Sequence, residues 1–500
     1  MRTKKILLNS IFSAILQIVI LLTGLILPRV YLIIYGSEMN GLLTSITQII
    51  SYFNLVEAGL GASLIYSLYK PLAENDYTNI NKIVSSGKKE YIKTSAIYMT
   101  LVVGLSFIYP FFVNGSQISN TTIVLLVLVI GFSGAMEFFT MAKYRVLLTA
   151  DQKLYVISIA STISTLINFF ILVILSYLRV DIVILRLCAL LSLVIRSLIF
   201  KYYLKRKYPM INYNCDGVKV RKNLRISALI YQFSISAHMS IPIVIVTFLC
   251  SLEEVSVYSI YNMVFVGIIG ILNIVTSGTS SALGNIIASG EEGKLNKAFD
   301  EYELVIYSII AWIYGCTFIL IMPFIKVYTL NVSDANYVNS IYGILFTIWG
   351  ICNTTWMARA SLISATGIFD KVKKSNIIQM CGLIGLGLFL TKMYNIAGML
   401  VALIMIAIYR TINTIYVTNK YVIRNQYKNT VKRLINMAIV IFIINLPFML
   451  YITINVSSLL DWFKYAVLVS IWAGIVVLVF LILFEKEAFK SLLNRIKLLI

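Results

Sequence analysis

The chain has 500 residues, with 42 Lys and Arg against 21 Asp and Glu for a net charge of +21, yet only 13% of its residues are charged and 59% are hydrophobic. A mean hydropathy of +0.89 is far from soluble-domain values, which excludes a water-soluble enzyme and makes nucleic-acid binding a poor account of the charge. Six Cys are scattered singly without a C-x-x-C pair, and His238 is the single histidine, so neither a Cys/His metal site nor a disulfide framework is supported, and no metal or cofactor is expected.

Hydropathy predicts an all-α polytopic membrane protein of about fourteen spans. In chain order they are 6–27, 39–66, 94–113, 121–142, 155–178, 181–200, 226–250, 255–288, 304–325, 337–358, 377–394, 396–417, 434–455 and 462–484. Crossing roughly 30 Å of hydrocarbon takes about 20 apolar residues as helix, because lipid offers the backbone no other hydrogen-bond partner. The second and eighth are long enough to tilt or protrude. The first run lacks a small-residue cleavage site and is longer than the core of a signal peptide, so it is kept as a helix.

Charge orients the spans. Loops starting at Lys70, Lys143, Lys201, Ser289, Arg359 and Thr418, with both termini, hold about 34 of the 42 Lys and Arg; the alternate loops hold only Arg29, Arg179, Lys326, Lys392 and Lys464. The positive-inside rule then places both termini on the cytoplasmic side of an inner or plasma membrane.

A weak repeat is offset by about 210–215 residues. "YRVLLTAD" from Tyr144 and "ARASLISATG" from Ala358 both carry R-x-x-L followed by Ala, and mixed-charge loops after spans two and eight close on Tyr91 and Tyr302. Six spans per copy is even, so the copies enter the membrane in the same direction: two six-helix lobes related by a parallel pseudo-twofold around a cavity. The expected divisions are an N-terminal lobe at 1–208, a cytoplasmic linker at 209–225, a C-terminal lobe at 226–425, and two additional helices with a tail at 426–500.

Polar residues line single faces at helical spacing. Span one has Asn9, Ser13, Gln17 and Gly24; span two has Thr44, Gln48, Ser51, Asn54 and Glu57; span seven has Ser227, Tyr231, Ser234, His238 and Pro242; span eight has Ser259, Asn262, Gly270, Asn273, Ser277 and Ser281. Two readings stand: helix-to-helix hydrogen bonding, or a polar lumen in which Gln17, Gln48, Asn54, Asn262 and Asn273 are lining groups.

Charges inside spans cost roughly 2.5–3.5 kcal/mol on insertion scales and are functional candidates or structural pairs. Glu57, Glu137 and His238 are candidates for coupling or gating, Glu137 and Arg145 share a face of span four, and Arg196 is near enough to the basic side to snorkel. Arg29, Arg145, Arg186, Arg359 and Arg410 are the cations in or beside spans available to an anionic substrate. No P-loop, H-E-x-x-H or G-x-S-x-G occurs, so no catalytic residue is named, and a carrier rather than an enzyme is expected.

Four segments resemble the polysaccharide-transport, repeat-unit-flippase branch of the multidrug/oligosaccharidyl-lipid/polysaccharide exporter superfamily: the run from Leu27 to Val84, including Y-G-S-E-M-N-G-L, E-A-G-L-G and Y-K-P-L-A; "LLTADQKLYV" from Leu147; "SALGNIIASGEEGKLNKAFDEYE" from Ser281; and "RASLISATGIFDKVKKSNI" from Arg359. The resemblance implies twelve core helices and two extra ones, working by alternating access. It further implies a flippase for undecaprenyl-pyrophosphate-linked oligosaccharides of O-antigen, capsule or exopolysaccharide, with H+ or Na+ as coupling ions and polymerase and glycosyltransferases as partners. Close members often carry Thr-Asp in span seven, where this chain reads "AHMSIPIVIV", so coupling would fall to Glu57 or His238. A cation-coupled drug exporter on the same fold is the nearest alternative. A membrane polysaccharide polymerase or ligase is more remote, since it should carry a large catalytic outer loop.

Overall fold

The computed structural model describes residues 2–57, 60–113, 116–215, 238–288, 292–423, 427–450 and 454–497. Among them there is no strand. Among the described residues ten helices are long and apolar enough to cross a membrane, making this a multi-pass membrane protein. Two of the ten each contain two predicted spans, and spans seven and ten correspond to shorter helices; span seven is described only from His238, so Ser227, Tyr231 and Ser234 lie outside the described residues. The chain forms two compact units, Met1–Ser256 and Val257–Ile500.

In the first unit, α1 (Arg2–Phe53) runs through Pro28 and breaks only at Gly36, with φ 84° and ψ 171°. The sequence suggests a loop between spans one and two; instead the chain turns at one residue, in a conformation that a Cβ would strain. Span two is itself interrupted. A 3-10 turn, Asn54–Glu57, follows α1, and α2 (Leu60–Glu74) continues beyond the undescribed residues 58 and 59. The long α3 (Tyr77–Ile108) is capped by Asp76, whose side chain accepts the Asn79 backbone N–H at 3.0 Å.

Next come α4 (Asn120–Thr140) and the short α5 (Ala142–Ala150), separated by Met141 alone, then α6 (Leu154–Tyr177), α7 (Ile182–Ala189) and α8 (Leu191–Lys207). The described part of span seven is α9 (His238–Leu249). Several residues of the polar stripes join helices within this unit. Asn9 accepts the Tyr155 backbone N–H at 2.8 Å, Ser13 meets Ser158 at 3.2 Å, and Ser51 meets Ser240 at 3.3 Å. For these residues the helix-joining reading holds.

After α8 the chain lies along α3. Asn81 bonds Met210 and Asn212, Ser85 takes the Cys215 backbone N–H at 3.0 Å, and Lys88 donates to Asn214 at 2.6 Å. The expected linker is thus docked as far as residue 215; its remainder lies outside the described residues.

The second unit takes most of α10 (Leu252–Ala288), then α11 (Glu292–Tyr328), α12 (Ser340–Thr355) and α13 (Met357–Thr366), the last two separated by Trp356. The long α14 (Phe369–Tyr421) contains spans eleven and twelve and breaks at Tyr394 and Asn395, the latter at φ 49°. The hydrophobic α15 (Tyr427–Leu450) and α16 (Leu459–Phe484) pack on α11, and α17 (Lys486–Lys497) ends the description. The α4–α5 and α12–α13 pairs share one design, a span broken by a single residue with an Arg on the short helix beyond it.

Candidate functional site

Among the described residues, each unit holds a network of charged side chains built around that Arg. In the first unit, the break at Met141 lets α5 present Arg145 to the end of α4, where Nη1 donates to Glu137 Oε1 at 2.9 Å. Nη2 reaches both oxygens of Glu57, at 3.2 and 3.3 Å, from the broken segment of span two. Tyr91 of α3 donates its hydroxyl to the same carboxylate at 3.0 Å. A Cβ at Gly61 would sit 3.3 Å from that hydroxyl, so the glycine makes room for the pair. Arg196 turns inward rather than snorkelling, with Nη2 3.4 Å from Glu137 Oε2.

Two Arg thus face two Glu. The Arg145 side chain is 37% exposed and Glu137 34%, so the group remains open to a ligand or to water. A partly exposed paired network in broken helices is the setting in which transporters place coupling groups.

The network in the second unit is closed. Arg359 on α13 is 0% exposed. It donates Nε to Glu303 of α11 at 3.2 Å and Nη1 to Thr418 of α14 at 2.8 Å, Nη2 bonds Thr430 of α15, and the guanidinium lies over the Phe299 ring at 5.4 Å. Glu303 also accepts from Thr430 and is 3.6 Å from Arg433, which in turn binds Asp300 at 2.9 Å. Every nitrogen of Arg359 makes a hydrogen bond, so the arrangement fastens four helices together. Arg145 and Arg359, matched in the expected repeat, therefore have different surroundings: one half-open among Glu57 and Glu137, the other sealed.

The remaining candidates are dispersed. Arg186 on α7 places its guanidinium 5.1 Å from the Tyr31 ring, two residues from Arg29, so α1 and α7 bring that predicted pair to one neighbourhood. Arg186 makes no ion pair among the described residues, and its Nε is buried without a hydrogen-bond acceptor. Arg410 is buried with its guanidinium 3.4 Å from the Trp356 ring centroid, at the α12–α13 break. His238 is buried at the start of α9. Gln17, Gln48 and Asn262 are half-buried, Asn54 and Asn273 are exposed, and the Ser277 and Ser281 side chains lie outside the described residues.

Sequence reasoning did not single out Glu303, Arg433 or Thr430. Glu303 was placed one residue before a span and Thr430 and Arg433 before another, where charges and hydroxyls look like ordinary loop chemistry. The signal for Glu303 is "DEYEL" from Asp300, with acids at 300, 301 and 303 between two and three turns into α11.

No family model matches the chain, and no curated protein does. Solved structures do. The lipid II flippase MurJ, in an inward closed conformation, matches with a TM-score of 0.71 at 16% identity over 97% of this chain and 100% of its own. An inward-facing multidrug-resistance MATE transporter matches with 0.66 at 14% identity, covering 85% and 99%. A MOP superfamily transporter from Pyrococcus furiosus, described as having a binding pocket of reverse polarity, matches with 0.54 at 16%, covering 87% and 96%. The chain therefore has the fold of the multidrug/oligosaccharidyl-lipid/polysaccharide exporter (MOP) superfamily of transporters.

Proposed function

We propose that the protein is a flippase that moves undecaprenyl-pyrophosphate-linked oligosaccharide units across the bacterial cytoplasmic membrane by alternating access of two six-span halves, with both termini cytoplasmic. Its product would feed a polysaccharide polymerase after glycosyltransferases have built the unit. The observation that carries this reading is Arg186, a guanidinium within a span that has no acid partner and a buried Nε lacking an acceptor. Leaving such a donor unmade costs about 1–3 kcal/mol, and a pyrophosphate oxygen is a fitting acceptor for it. Likeness to a lipid II flippase over nearly the whole chain supports the reading.

In this reading Arg29 and Arg186 contact the pyrophosphate during release, while Arg145 receives it at the basic-loop side. Glu57, Glu137 and His238 serve coupling to H+ or Na+. Reconstitution in proteoliposomes with a fluorescent undecaprenyl-pyrophosphate oligosaccharide tests it: protein-dependent exposure of the sugar to an outside lectin is expected, and absence of that transfer refutes it.

A second reading, a cation-coupled exporter of organic cations, is favoured by the partly exposed Glu137 and the more covered Glu57 beside it. It requires gradient-driven efflux of a cationic dye from the same proteoliposomes.

A further inference from the structure

In the charged network of the first unit, Arg196 of α8 ends a chain of alternating charge that runs from Glu57 through Arg145 to Glu137. Arg145 holds Glu137 Oε1 at 2.9 Å, whereas Arg196 Nη2 stands 3.4 Å from the other oxygen of the same carboxylate. Among the described residues Glu137 is the only acid within ion-pair distance of Arg196. Its Nε donates to Met141 Sδ at 3.0 Å, and a thioether sulfur is a weak acceptor. The side chain is only 17% exposed, so water does little for it. A covered guanidinium that spends one donor on sulfur and reaches its acid by a long contact is a cation held in reserve.

The middle of the chain is the more open part. Arg145 and Glu137 are about twice as exposed as Glu57 and Arg196 at its ends, so an arriving anion meets the network at Arg145 and competes there with two carboxylates. When Arg145 Nη1 turns to a phosphate oxygen, Glu137 loses its closest cation and would draw Arg145 back. Arg196 removes that pull by closing on Glu137 to about 2.8 Å, the usual length of a charge-assisted bond. Glu57 keeps the Tyr91 hydroxyl at 3.0 Å. The break at Met141 makes both positions possible, because it turns α5 so that Arg145 meets the end of α4, and its own sulfur parks Arg196 beside the same acid.

We propose that Arg196 is a positioning residue for the pyrophosphate lipid: it takes over Glu137 when Arg145 binds the pyrophosphate, and gives it back when the lipid leaves. The inference rests on the flippase reading. It assigns Arg196 no contact with the lipid itself, and it makes Glu137 the acid that sets how readily Arg145 is released.

The test is equilibrium binding of undecaprenyl pyrophosphate to the purified full chain in detergent, with undecaprenol as the control for the hydrocarbon. Arg196→Gln should raise the Kd for the pyrophosphate about tenfold or more, because Glu137 then keeps Arg145, and should leave undecaprenol unaffected. Glu137→Gln added to Arg196→Gln should return the Kd to within about threefold of wild type, a recovery that loss of a merely structural contact does not give. Arg196→Lys keeps the charge and should also stay within about threefold, and it carries the test if the Gln variant does not fold. A wild type that binds undecaprenyl pyrophosphate no better than undecaprenol would refute the flippase reading and the hand-over with it. Selective binding by the wild type together with an unchanged Kd in Arg196→Gln, or a double variant as weak as the single one, would overturn the hand-over alone. So would a loss in Arg196→Lys as large as that expected of Arg196→Gln.

Discussion

Arg359 Nε lies 3.2 Å from Glu303 Oε1, and both side chains are only 1% exposed. Removing either one leaves the other charge buried without its partner, which in comparable buried pairs costs about 3–5 kcal/mol. Arg359→Ala and Glu303→Gln should therefore reduce the amount of folded protein and its Tm, whatever the substrate. Fluorescence-detected size exclusion after mild heating would show this, and a wild-type melting profile for Arg359→Ala would contradict the assignment of a fastening role.

Arg145 behaves differently because it is half-open. Water can replace part of what Glu57 and Glu137 supply, so Arg145→Ala should cost no more than about 1–2 kcal/mol in stability after allowance for screening. Export should nevertheless fall strongly at normal protein level. Surface polymer measured against membrane-inserted protein separates the two effects, and loss of both together would make Arg145 a structural residue like Arg359.

Arg186→Ala with Arg29→Ala should abolish surface polysaccharide while leaving expression intact. Lys in place of Arg186 should restore it only in part, since an ammonium lacks the planar fork that binds two oxygens at once. Full export by the double Ala variant would remove this pair from the mechanism.

The spans were legible because lipid enforces about 20 apolar residues per helix, a constraint strong enough to survive without any partner sequence. What escaped was set by single residues and by distant pairing. Gly36 replaces a loop by one residue of unusual φ, and Met141 and Trp356 each break a helix while themselves in ordinary helical backbone, leaving no pattern to read. Glu137 and Arg145 were close enough in sequence to be paired in advance, and they are. Arg359 and Glu303 are 56 residues apart, and only the packing of α13 on α11 joins them. The polar stripes were visible as faces, but which neighbour each face meets, as Ser13 meets Ser158, depends on helix order in space.

Orientation has its own check. The alternation of basic loops predicts a cytoplasmic reporter after Asn212 or Gln426 and an external one after Gly115 or Ser457. A cytoplasmic signal at Gly115 would overturn the assigned topology.

Asp76 gives a pH signature at the start of α3. The Asn79 backbone N–H, then the Asn79 side chain, hold its carboxyl below the usual range. A lowered folded pKa means that the cap's contribution is present above the unfolded value near 4 and fades as pH falls through the lower folded one. The Tm gap between wild type and Asp76→Ala should be open at about pH 7 and narrow as acid protonates the folded carboxyl. A gap that widens in acid would be inconsistent with this sign.

At Gly36, and again at Tyr394 and Asn395, two predicted spans join with almost no intervening chain. If the basic loops are cytoplasmic, these joints are on the outer surface, where antibodies, phage and proteases meet a cell. A helix corner of one or two residues offers them no extended peptide to grip or cut. Over these stretches the protein would be nearly invisible from outside, and an epitope tag inserted at residue 36 would have to open a helix corner to be seen.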